Sequence, residues 1–176
     1  MQRTILTYGL VSGVIIILGV VATIVLTPDG KPHGNVWLGY LIMLVGLSSI
    51  LLAVKQHRDK ALGGVIKFWP ALALGLGVAL VASLAYVAVW ELYLALTNYR
   101  FMDEYAAQTL AAKKAAGLSG AAYDKLVAEM EAMKKSYANP LFRMPLTFAE
   151  IFPVGLLVAL VSAALMRNPR FLPARG

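Results

Sequence analysis

The chain has 176 residues, of which 60% are hydrophobic and only 14% charged, with a net charge of +7 and no cysteine; its mean hydropathy is +0.72. Soluble domains carry roughly 25% charged residues, so this composition belongs to an integral membrane protein, and the missing cysteine removes disulfides, thiolate catalysis and thiolate metal ligands. The basic residues lie between long apolar runs and form no surface cluster with interleaved aromatics, which argues against a nucleic-acid partner and leaves the positive charge as an orientation signal.

Four stretches are long and apolar enough to cross a hydrocarbon layer of about 30 Å. They run over 5–26, 36–54, 71–96 and 146–166. Gln2 and Arg3 before the first run are also compatible with a secretory signal, but the run is too long for a signal core and lacks a small-residue cleavage site, so an uncleaved span is expected. The TPDGKPHGN segment at 27–35, rich in proline and glycine, reads as a tight loop, and KQHRDKALGG at 55–64 as the polar connection to the third span. Pro70 should separate a short interfacial VIKFW piece from the third span, and Pro145 should mark the start of the fourth.

The segment 98–145 is too polar to span. DEYAAQTLAAKKAA at 103–116 is dense in helix formers, GLSG at 117–120 interrupts it, and Tyr123, Leu126, Val127, Met130, Met133 and Tyr137 then recur on one helical face. The fold expected is therefore all-α: a four-helix transmembrane bundle with an extramembrane amphipathic helical hairpin inserted between spans three and four. If the amino terminus is cytoplasmic, Arg3, Lys55, Arg58, Lys60, Lys67, Arg167, Arg170 and Arg175 share that side with Asp59 alone, while six acidic residues offset the basic ones on the other side. This distribution predicts a bacterial inner-membrane protein with both termini cytoplasmic and 98–145 periplasmic.

Glu91 and Glu150 are the charged residues inside the apolar runs. Each lies about five residues from the hairpin-side end of its span, which predicts similar depth and permits a shared carboxylate site for a proton, cation or cationic group. The competing reading pairs them with Arg100 or Arg143, as a clamp without turnover. The stripe of Tyr105, Tyr123, Leu126, Met130, Met133 and Tyr137 is a candidate lipid or partner surface; the blander alternative is an ordinary packing face. Gly9 with Gly13, Gly75 with Ala79, and Gly155 with Ala159 are spaced for close helix approach, within the chain or between copies. His33 and His57 fall on opposite sides and share no metal, and no catalytic, cofactor or phosphate-loop motif is present.

The run RDKALGGVIKFWPALALG and its continuation to Asp103 and Glu104 resembles the DUF4199 family of bacterial membrane proteins, through Arg58 and Asp59, Gly63 and Gly64, the apolar span and the polar segment before a last span. That resemblance implies an uncharacterised four-span inner-membrane protein and supplies no catalytic residues. Three functional readings are open on the sequence: a non-enzymatic assembly or accessory component, pairing with itself or an envelope protein; an oligomeric small-molecule, cation or proton transporter or channel with Glu91 and Glu150 in the path; and a lipid-binding protein or intramembrane enzyme. Membrane lipids are partners in all three.

Overall fold

The computed structural model describes residues 1–26 and 36–173. The 27–35 loop, with His33, and Arg175 lie outside the described residues. Among the described residues seven helices follow in order: α1 Gln2–Val25, α2 Val36–Leu47, α3 Ser49–Ala61, α4 Phe68–Leu96, α5 Phe101–Ala115, α6 Ala121–Tyr137 and α7 Pro140–Met166. α1, the pair α2 and α3, α4 and α7 are each long and apolar enough to cross a membrane. The all-α bundle with a helical hairpin between its third and fourth long helices is the fold read from the sequence.

Four boundaries differ from expectation, each for a local reason. α3 runs through KQHRDK to Ala61, because Lys, Gln and Arg are good helix formers and the first true stop is Gly63–Gly64, whose φ angles are 63° and 92°. There the amides of Leu62 and Gly64 both donate to the Arg58 carbonyl, at 3.2 and 3.0 Å. α4 begins at Phe68, so Pro70 lies in its first turn, where a missing N–H costs no helical bond. α7 begins at Pro140, with Asn139 as its cap accepting from the Leu141 amide at 3.0 Å, so Pro145 is internal. Between α2 and α3 the helix is interrupted at Ser48, whose hydroxyl donates to the Val45 carbonyl at 2.6 Å.

α4 is the central helix and packs most extensively on α1 and α7. The small residues permit this approach. A Cβ added at Gly75 would come within 2.9 Å of the Ala159 methyl, and one at Gly155 within 2.7 Å of the Ala79 methyl. On the other flank, Gly9 and Gly13 of α1 lie against Val81 and Ala85. The glycine faces are thus occupied inside the chain. Around them lie Leu47, Ile50, Leu74, Val78, Ile151 and Met166, all fully buried. A second, polar seam joins α1 to α3: Tyr8 donates to Gln56 Oε1 at 2.5 Å, and the Ser12 and Ser49 hydroxyls bond each other.

The hairpin closes on its own apolar side. Met102 and Ala106 of α5 and Met130 of α6 are buried between the two helices. Lys134 on α6 bridges Asp103 on α5 at 2.9 Å and Glu131 at 3.2 Å, and these carboxylates raise the Lys134 pKa above the usual lysine value.

Candidate functional site

At the hairpin end of the bundle, α4 ends in a tight turn through Asn98 and Tyr99, both with positive φ. This turn and the Asn139–Pro140 cap bring the ends of α4, α5, α6 and α7 together around Arg143, which is 2% exposed. Its guanidinium forks onto Glu91, Nε to Oε1 at 2.7 Å and Nη2 to Oε2 at 2.5 Å. Nη1 donates to the Tyr137 carbonyl at 2.9 Å. The plane lies 5.2 Å from the centre of the Tyr99 ring and 5.7 Å from that of Tyr137. One side chain therefore ties α7 to α4, to the end of α6 and to the α4–α5 turn.

Aromatic packing extends the joint. The Trp90 indole donates to the Tyr137 hydroxyl at 2.9 Å and meets Phe101 edge-on, with ring centres 5.0 Å apart. Burial pushes the Tyr137 phenol above its usual pKa, which keeps it neutral as the acceptor of that bond. Phe101 in turn stacks on Tyr105. A cleft of about 430 Å³ opens beside the joint, lined by Leu94, Tyr99, Met102, Lys134, Tyr137 and Arg143 among others. Its two cations already hold carboxylates, so the cleft offers a bound anion no free strong charge.

The residues singled out in the sequence distribute unequally. Glu91 and Arg143 meet. Arg100 is exposed, with its Nε 3.4 Å from the Thr97 carbonyl, and joins neither glutamate. Of the stripe, Met130 is buried in the hairpin, Tyr123, Leu126 and Tyr137 are half-buried, and Tyr105 and Met133 are exposed.

Glu150 is apart from Glu91. A common antiparallel register joins Glu91 with Arg143, Ala79 with Gly155, and Gly75 with Ala159. It carries Glu150 to the level of Leu84, near the middle of α4, about 10 Å below Arg143 at 1.5 Å per residue. The equal depths expected for the two glutamates assumed that α7 starts at 146; its start at Pro140 lowers Glu150 relative to the helix end. Glu150 is exposed at the surface of the isolated chain, though crowded by neighbouring side chains, and makes no hydrogen bond or ion pair with a described residue. It lies near the phenols of Tyr86 and Tyr137. A lone carboxylate at the centre of a spanning helix costs about 3 kcal/mol or more in hydrocarbon.

Sequence reasoning gave Arg58 no structural role, counting it as an orientation charge and as part of the family resemblance. Arg58 is fully buried at the opposite end of the bundle. Its Nε holds Asp59 at 2.7 Å, its Nη1 donates to the Phe171 carbonyl at 2.9 Å, and its Nη2 donates to the Leu172 carbonyl. It thereby pins the segment after α7 against α3. RDKALGG marks the helix end through its glycines, but nothing in that run distinguishes Arg58 from the exposed cations around it.

Four apolar helices, two buried arginine joints and a polar helical hairpin define a small polytopic helical membrane protein. The chain belongs to the DUF4199 family, described as proteins of unknown function, whose model matches residues 7–168, nearly its whole length. No curated protein and no solved structure matches it significantly.

Proposed function

We propose that the protein is a non-enzymatic assembly or accessory component of the bacterial inner membrane, with both termini cytoplasmic and the α5–α6 hairpin periplasmic. One observation carries this reading: the central polar group of the hairpin end, Arg143, is fully engaged by Glu91 and the Tyr137 carbonyl. A group so engaged fixes the hairpin over the bundle, and a fixed polar hairpin is a presentation device. A transport path through Glu91 would require this pair to break on each cycle, leaving a buried arginine unpaired at a cost of about 3–5 kcal/mol. The basic residues at the end holding Arg58, Lys60, Lys67, Arg167 and Arg170 support the orientation.

The test is extraction of native membranes into polymer nanodiscs, followed by mass measurement. The expected result is a defined assembly larger than one chain. A uniform monomer, or proteoliposomes whose proton or cation flux disappears in E150Q, would overturn the reading.

A further inference from the structure

We infer that the outward face of α7 around Glu150 seats a partner transmembrane helix that brings a basic side chain, Lys or Arg, to the middle of the membrane. This rests on the assembly reading above and gives its partner a chemistry. Leu146, Glu150, Pro153, Leu157 and Val161 succeed one another at steps of four, three, four and four residues, all exposed and offset from the core-facing Thr147, Ile151, Gly155 and Ala159, with Glu150 at the edge of the stripe near Tyr86 and Tyr137. The stripe is open along the membrane-facing side of α7, and the polar groups within it are what a neighbouring helix can bond and lipid tails cannot. Its polar content consists of acceptors. Glu150 contributes a carboxylate, and Pro153 has no N–H to give the carbonyl of Ala149, one residue before Glu150 on the exposed side.

The occupant follows from what is missing. Acyl chains carry no hydrogen-bond donor at this depth. A second copy of the chain brings no cation there: among the described residues, Arg58 and Arg143 are buried and engaged, Lys55 within α3 is bonded to Asp59, and the other lysines and arginines lie at or beyond helix ends or in the hairpin. Two-fold pairing through this face would set carboxylate against carboxylate. A helix of another protein with a lysine or arginine at the level of Leu84 would neutralise Glu150 and give the Ala149 carbonyl a donor. The polar pair in an apolar seam would also fix the register of the two helices.

The experiment places a photo-crosslinking amino acid at Leu157, on the seam, and at Val14 of α1, an exposed apolar control position, in the full chain in native membranes. The expected result is one discrete adduct from the Leu157 position and none from Val14, with a crosslinked peptide that carries Lys or Arg within two turns of the contact. In E150L the adduct should fall at least tenfold while thermal stability in detergent is unchanged or raised, since Leu occupies the crowded space beside Tyr86 and Tyr137 without a charge to desolvate. An adduct of twice the chain mass, adducts with lipid alone, or an adduct undiminished in E150L would each overturn the inference. Lipid adducts at Leu157 alongside a persisting native assembly would refute this seat and leave the assembly reading standing, whereas a monomer throughout would refute both.

Discussion

Replacing Arg143 by Met strands the Glu91 carboxylate between α4 and α7 and leaves the Tyr137 carbonyl without its donor. Breaking one side of a buried pair costs about 3–5 kcal/mol, so R143M should lower the melting temperature in detergent sharply. The double variant E91L/R143L should recover most of that loss, because two apolar side chains of moderate size replace a pair whose desolvation offsets much of its attraction. Failure of the double variant to recover would mean that the Tyr137 carbonyl contact, not the ion pair, dominates. Arg58 behaves differently, since two of its contacts are main-chain carbonyls of a terminal segment. R58K cannot reproduce the planar fork; it should leave the bundle folded and make the chain after Met166 cleavable by added protease, read by mass spectrometry.

At the scale of elements, the close approach of α4 and α7 rests on Gly75 and Gly155. Substituting Gly155 with Leu forces the helices apart and should destabilise by about 1–3 kcal/mol through overpacking. The control is Gly39 on α2, where an added Cβ meets nothing within 4 Å; G39A should be neutral or slightly stabilising, as expected of a helical glycine. Gly63 also has open space around it, yet its φ of 63° is the left-handed region. G63A should therefore cost about 1–2 kcal/mol from backbone strain alone. Thermal unfolding of the three variants separates contact from conformation: parity of G63A with G39A would show that the end of α3 tolerates another turn.

For the whole molecule, the testable property is which end faces which compartment. The natural absence of cysteine makes single-cysteine variants informative without background. A cysteine at Ala107 in α5 should react with a membrane-impermeant maleimide in spheroplasts, while one at Lys60 should react only after permeabilisation. Labelling of the Lys60 position in intact spheroplasts, with the hairpin position protected, would invert the proposed topology. It would also place the Arg58 joint, rather than the Arg143 joint, on the outer side.

The number of long apolar helices, the hairpin between the third and fourth, and the family were legible in the residues themselves, because hydropathy and helix period are local properties that accumulate over twenty residues. Boundaries were legible only where a strong stop stood alone; Pro70 sits in a first turn where no helical bond is lost, and Pro145 is tolerated inside α7 because one lost N–H bond is outweighed by the packing of the whole face. Partner choice was not legible. Arg100 and Arg143 are equivalent candidates by spacing, and the Asn139 cap together with the α4–α7 register selects Arg143. The same register sends Glu150 to mid-helix and turns the glycine faces inward. Composition thus settles what the chain is dissolved in, while the rotation and offset of packed helices, which depend on side chains far apart in sequence, settle which charges the fold matches and which it leaves unmatched.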